Sequence, residues 1–353
     1  MPAKLNHCRL LLFVSCLFSA NVVVADEPSN RGSIEIPLPA IKPHRSPPVV
    51  TALAASRDGH FLAAAGDDHV IRLLDVEGSR VIGEFAGHTD WIQTLVFSAD
   101  SKQLYSSGND GRVLRWEYGQ TEGPQEVVQL PYAVRCLSLS TQKQLLAVGG
   151  FGEEVGIWDL QAAKWHLKFS CSCGDQRCVR FSPAGDKLLC GGRDGHLRVW
   201  ESTTGEELAH VPLHTRRVHT AAFSADGNVV TSVSDDRHII RYDLVARKVT
   251  LDRELKGAKL RSLCLINDYL IAAAGADNAI HIFDVLADEE LGKLTGHTGS
   301  VAVMCSCADM LVSGSFDTTV RLWKLEPSLT HVRDITKPVR LAPLEVDRNM
   351  EIR

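Results

Sequence analysis

The stretch LVSGSFDTTVRLWK, Leu311 to Lys324, sets Asp317 six residues before Trp323, with Arg321 between them in an alternating apolar run. Leu311, Val312, Val320 and Leu322 flank a polar cluster, Ser313 to Thr319, which reads as two short strands joined by a tight turn. One hairpin decides little; recurrence of its spacing would decide the architecture. An acidic residue stands six before a bulky one at Asp68/Leu74, Asp110/Trp116, Asp194/Trp200, Asp236/Tyr242, Asp277/Phe283 and Asp317/Trp323. Gly152/Trp158 fills the remaining slot without its acid. Successive bulky positions are 42, 42, 42, 42, 41 and 40 residues apart, and five of the seven units carry Arg one or two residues before them.

A second turn marker lies upstream in several units, as Phe97 to Asp100, Phe181 to Gly185 and Phe223 to Asp226. Three turns in about 42 residues leave room for four strands of five or six residues, the size of one propeller blade. Helical periodicity is absent. The expected fold is all-β, a seven-bladed β-propeller of four-stranded antiparallel blades.

The units resemble WD40 repeats, with GHTDW at Gly87 to Trp91 and GHTGS at Gly296 to Ser300 as their Gly-His element and Trp158-Asp159 as the dipeptide of the family name. The resemblance spans residues 47 to 325. Leu213-His214 replaces Gly-His in one unit, and three units end in Leu74, Tyr242 or Phe283 rather than Trp. The resemblance implies that the turn Asp accepts a hydrogen bond from the Gly-His imidazole, that the imidazole meets a strand hydroxyl, and that the hydroxyl meets the Trp indole N–H. Two such sets are complete, His88/Ser106/Asp110/Trp116 and His297/Ser313/Asp317/Trp323, and His214/Ser232/Asp236 forms a third that ends in Tyr242. The same residue types make catalytic triads, but a triad needs one exposed nucleophile in one cleft, whereas these sets recur from blade to blade. They read as structural, and no phosphate-binding loop, nucleophile elbow or other catalytic signature accompanies them.

A ring needs its first and last blades joined. The seventh unit ends near Leu325 with three strands, so the fourth is expected from SIEIPLPAIKPH, Ser33 to His44, whose prolines suit an edge. The alternative is the tail, where HVRDITKPVRL could extend. Residues 1–25, with Lys4 and Arg9 before an apolar run and Val23-Val24-Ala25 at its end, read as a secretory signal. An uncleaved membrane anchor and a lipoprotein using Cys16 are the competing readings, weakened by Ser15, Ser19 and Asn21 and by a poor lead-in. The domain plan is thus a signal peptide (1–25), an N-terminal segment with a ring-closing strand (26–46), seven repeats (47–325) and a charged tail (326–353). The expected location is periplasmic or extracellular, with no membrane span after cleavage.

The net charge is −5 and loses two more positive units with the signal, which argues against nucleic acid as a partner. Of ten cysteines, eight remain after cleavage, and most fall on blade strands, where a small buried thiol is ordinary. CSCGDQRC, Cys171 to Cys178, crosses between blades and leaves three readings open: unpaired thiols, a disulfide such as Cys173 to Cys178, or a C-x-C-x4-C metal site. His210, His214 and His219 look like ligands on paper, but the repeat assigns His214 to the Gly-His slot. No cofactor is called for.

Propellers of the resembled family act as platforms, with partners on the face that carries the Asp turns. Two positions per blade are exposed there, the residue before the turn acid and the third after the Gly-His histidine. The first set reads Asp67, Asn109, Phe151, Arg193, Asp235, Ala276 and Phe316, and the second includes Trp91, Arg217 and Lys259. Aromatic and Arg residues anchor interfaces, so Trp91, Phe151, Arg193, Arg217 and Phe316 are the expected protein-contact residues. The expected function is a non-catalytic exported interaction scaffold for an unidentified protein, including the case of a subunit of an envelope assembly. The alternative is a small-ligand-binding or enzymatic propeller using the central channel.

Overall fold

The computed structural model describes residues 33–40, 46–118, 123–140, 142–171 and 173–325. The signal-like segment, His44 and the charged tail lie outside them. The described chain forms seven four-stranded antiparallel sheets, and contains no helix. Blades 1 to 6 are each built from four consecutive strands, beginning with Val50–Ala55, Ile92–Phe97, Val134–Ser140, Gln176–Phe181, Val218–Phe223 and Leu260–Leu265. Blade 7 takes three strands from Val301 to Lys324 and its outermost from Ser33–Pro37.

The burial pattern follows from position in the blade. Second strands are packed on both faces, so Leu145–Gly150 and Leu270–Gly275 are buried throughout and read as continuous runs of small and apolar residues. Fourth strands have one wet face, so Glu207–Pro212 keeps a polar alternation. First strands pack on the first strands of both neighbouring blades and so surround the central axis. The chain approaches itself most closely where it enters a first strand past the end of the second. A Cβ on Gly66 would stand 1.7 Å from the Val49 carbonyl oxygen, and one on Gly275 1.8 Å from that of Lys259, so only glycine fits there.

Every blade has a one-residue irregularity where its first strand meets its second. The pairing skips Thr51, Gln93, Arg135, Arg177, His219, Arg261 and Ala302 in blades 1 to 7. A bulge re-aims the side chain it frees from the ladder. Here it does so at the end of the first strand nearest the Asp turns.

The ring closes through antiparallel pairing of Ser33–Pro37 with Thr319–Trp323. Pro37, which has no N–H, sits at the end of this outer strand. Ile36 and Leu38 are buried with Val320 and Leu322 of blade 7 and Val50 and Leu62 of blade 1. Arg321 pairs with Glu35 and donates to Ser33 Oγ at 3.2 Å, while Arg72 of blade 1 donates to the Pro39 carbonyl at 2.7 Å. The closing strand is therefore fastened to both ends of the repeat array. Ile36→Ala is expected to cost about 2–4 kcal/mol, read as a lower denaturant midpoint, with earlier proteolytic cleavage near the 33–40 segment than in the parent.

Candidate functional site

The turn between the second and third strands organises one face of the ring. Its aspartate accepts the backbone N–H two residues on, as in Arg112 N to Asp110 Oδ1 at 3.0 Å, His238 N to Asp236 Oδ1 at 3.0 Å and Thr319 N to Asp317 Oδ1 at 3.0 Å. The residue between is left-handed: Gly111 and Gly195 suit that, while Arg237 (φ 75°) and Thr318 (φ 72°) carry the strain. Side-chain bonding to the turn holds it in place.

The second carboxylate oxygen is met from the next loop. His88 Nδ1 lies 2.8 Å from Asp110 Oδ2, His88 Nε2 2.7 Å from Ser106 Oγ, and the Trp116 indole N–H donates to the same Oγ at 2.7 Å. His297, Asp317, Ser313 and Trp323 repeat this at 2.8, 2.7 and 2.8 Å. The partners fix the tautomer. An ionised carboxylate only accepts, so Nδ1 carries the proton and donates to the aspartate, while Nε2 accepts from the serine O–H, whose oxygen in turn accepts from the indole N–H. Protonating Nε2 as well would leave the serine O–H without that acceptor. Burial lowers the His88 pKa, outweighing the pull of Asp110. Burial opposes the charge on Asp110 as well, but the Thr89 and Arg112 backbone N–H groups and the His88 ring hold it below the usual carboxylate range. In blade 5, His214 joins Asp236 at 3.0 Å and Ser232 at 2.9 Å, but Tyr242 replaces the indole. These hydroxyls and imidazoles are buried and mutually satisfied, with no exposed nucleophile among them.

Blades without the imidazole satisfy the turn acid from their own third strand. Arg72 donates to Asp68 at 2.6 Å and Arg198 to Asp194 at 2.7 Å, each from four residues on. In blade 6 the fourth residue on is His281, held between Asp277 at 2.7 Å and Glu290 at 2.8 Å. Burial alone would lower its pKa, but the two carboxylates outweigh it and raise the value. Blade 3 has no turn acid, and Gln176 of blade 4 takes its place. Its buried side chain accepts from Gly150 N and donates to the Gly152 carbonyl, both at 2.8 Å.

The five expected contact residues all lie on this turn face. Trp91, Phe151 and Phe316 are 42%, 47% and 38% exposed. Arg193 is exposed and its backbone N–H donates to the Asp175 carbonyl at 3.2 Å. Arg217 lies 3.2 Å from the Asp175 carboxylate, which Arg177 also meets at 2.8 Å. Phe151 sits under two guanidiniums, those of Arg135 and Arg177, each 5.6 Å from the ring centroid, and Arg261 lies 5.7 Å over Phe316. Three of the five residues, Phe151, Arg193 and Arg217, are thus joined to one network, while Phe316 pairs with Arg261 alone. Trp91 touches the network only through its carbonyl, which accepts from Asn109 N, whose side chain in turn accepts from Arg135. Arg135, Arg177 and Arg261 are not among the expected residues, because in the sequence each is one more position of a first strand and only the pairing shows that a bulge frees it.

The eight cysteines of the described chain are free. Cys171, Cys173 and Cys190 bring their sulfurs within 4.8 Å of one another, the set among the described residues able to hold a soft metal ion. Cys178 packs instead with Leu189, Val218 and Phe223, so neither the Cys173–Cys178 bridge nor a C-x-C-x4-C ligand set matches the structure. Hydrogen bonds from Cys173 and Cys190 lower the pKa of Cys171, making it the first of the three to ionise.

Ring, turn acids and repeating imidazole sets together define a seven-bladed repeat propeller. The family described as "WD domain, G-beta repeat" matches at residues 36–75, 79–117, 166–201, 205–243 and 288–324, and the chain belongs to it. Each match starts in or just before the outer strand of one blade and ends in the third strand of the next. The chain is 25% identical over 225 residues to the U3 small nucleolar RNA-associated protein 15 homolog of Xenopus tropicalis, covering 63% of this chain and 43% of that protein. It is 23% identical over 273 residues to a WD repeat-containing protein of Schizosaccharomyces pombe, 74% of each chain. It is 30% identical over 196 residues to apoptotic protease-activating factor 1 of Danio rerio, 51% of this chain and 14% of that protein. The chain spans less than half the length of the first of these relatives.

Two outcomes test the network. Ser313→Ala orphans both His297 Nε2 and the Trp323 indole, whereas Ser232→Ala orphans only His214, so the first is expected to lose more stability. The cost is about 1–3 kcal/mol per orphaned buried group, read by chemical denaturation. In an NMR titration, His88 is expected to protonate below 6.5 and His281 above it. The linked stability has opposite signs. The His88 contribution is present above 6.5 and lost as pH falls towards its lowered pKa. That of His281 is complete below 6.5 and lost as pH rises through its raised one.

Proposed function

We propose that the protein is a docking platform for another protein, without chemistry of its own, and that it works after export. The observation that carries the docking reading is Phe151, a large apolar ring left nearly half exposed while two guanidiniums hold it in place. A rigid aromatic flanked by Arg is the composition of an interface anchor, and it loses little conformational entropy on binding. Trp91, Arg193, Arg217 and Phe316 extend the same face. The His, Ser and Asp residues that could suggest catalysis are consumed in holding the turns. Family membership supports the reading, since propellers of this kind serve as interaction platforms, while fold alone does not set function. The basic start, apolar run and Val23-Val24-Ala25 of the first 25 residues support export.

A photo-crosslinking amino acid placed at Trp91 and, separately, at Phe151 tests the face. Val245, exposed on the turn between third and fourth strands at the opposite end of blade 5, is the control position. A discrete protein adduct at 91 and 151 but not at 245 is expected. Adducts at all three positions, or at none, would remove the proposed face. Intact-mass analysis of the same preparation is expected to find a chain beginning at Asp26.

A further inference from the structure

Four of the seven bulge residues are basic, and they fall on consecutive blades: Arg135, Arg177, His219 and Arg261, each 42 residues after the one before. In the other three blades the same position holds Ala302, Thr51 and Gln93, so the inner rim of the turn face is basic on one side and neutral on the other. Arg217, at the entry to blade 5, adds a fourth guanidinium. Two carboxylates oppose them, Asp175 between Arg177 and Arg217, and Asp235, whose Oδ1 lies 2.9 Å from His219 Nε2.

The cations are therefore in excess, in a chain whose net charge is −5. Burial and the neighbouring charges of Arg177 and Arg217 pull the Arg135 pKa down to about 10, as expected of a crowded cationic site. Arg261 finds no hydrogen-bond acceptor among the described residues, and its Nε is buried, as is the unpartnered Nε of Arg217. Donors left unpaired in a half-buried site await an acceptor. We infer that this rim receives a carboxylate-rich peptide segment of the docked protein, with Arg177, Arg217 and Arg261 meeting acidic side chains while Phe151 and Phe316 cover the peptide's apolar atoms. This rests on the docking reading above.

Guanidinium forks match planar carboxylates with paired N–H donors. The cations converge on part of one rim rather than forming a stripe, and Asp67 and Asp90 stand on the surrounding face, so a long polyphosphate chain would meet repulsion on leaving the rim. A short peptide has a way out. An open groove of about 570 Å³ between blades 5 and 6 shares Asp235 with the rim and is lined further by Thr215, Arg216, Asp236, Arg237, His238 and Lys259, so that three basic side chains outnumber its two carboxylates.

The test is fluorescence anisotropy of the full chain with a labelled short peptide of alternating Asp and Ala. Its Asn counterpart and inorganic phosphate serve as comparison ligands. Saturable binding of the Asp peptide that phosphate fails to displace is expected, weakened about tenfold or more in Arg177→Gln/Arg261→Gln. It should be unchanged in Lys102→Gln/Lys164→Gln, which removes two exposed cations at the opposite end of the blades. Arg261→Gln alone removes a side chain with no hydrogen-bond partner to orphan, so it serves where the double variant fails to fold. Equal binding of the Asn peptide, displacement by phosphate, or equal loss in the lysine variant would overturn the inference. So would a partner whose crosslinking at position 151 is not suppressed by excess Asp peptide present during irradiation, and that outcome would leave the docking face itself standing.

Discussion

Each blade depends on holding a tight turn where its second and third strands meet on one face of the ring. An aspartate there folds the turn by accepting its backbone N–H, and its second oxygen then needs a donor in a place that neighbouring blades partly close to water. Six of the seven blades solve this with a carboxylate, and three distinct donors answer it: a neighbouring-loop imidazole, a third-strand guanidinium, or an imidazole in that same strand. Blade 3 replaces acid and donor together with the amide of Gln176, which both accepts and donates. The requirement is constant, and the residue that meets it is not.

That distinction accounts for what could be read from sequence. The 42-residue interval, the strand count and the ring follow from turn acids and bulky strand residues, which recur because every blade needs them. The sets around His88 and His297 were legible through the resemblance to the repeat family, which implies each partner in turn, and the structure makes each of those contacts. The guanidinium pairs were harder. Asp68–Arg72, Asp194–Arg198 and Asp317–Arg321 share one spacing, yet in the last the imidazole of His297 takes the acid and Arg321 turns to Glu35 in the closing strand. Gln176 was not legible at all, since its role comes from packing one blade on another.

The rim presents the converse case. Arg135, Arg177, His219 and Arg261 stand at the interval of the repeat itself, so their register was visible in the sequence. Their meaning was not, because a residue at the start of a strand reads as one more alternating position until the pairing skips it. The bulge is a backbone property, and it frees an ordinary strand residue from the ladder at the end of the first strand nearest the Asp turns.

A ring made this way separates what must stay fixed from what is free to differ. Turn acids, their donors and the glycines at the ends of second strands are set by the fold: changing them orphans a buried group or drives a Cβ into a carbonyl oxygen. Bulge residues are under no shared demand, since Ala302, Thr51 and Gln93 serve as well as Arg in the same backbone position. A basic residue at that position in four consecutive blades, against none in the other three, is therefore not demanded by the propeller. Crowding like charges there works against stability, and the two exposed phenylalanines beneath them add apolar surface that folding alone would bury. Features that the scaffold does not need and that cost it stability are where recognition is to be sought.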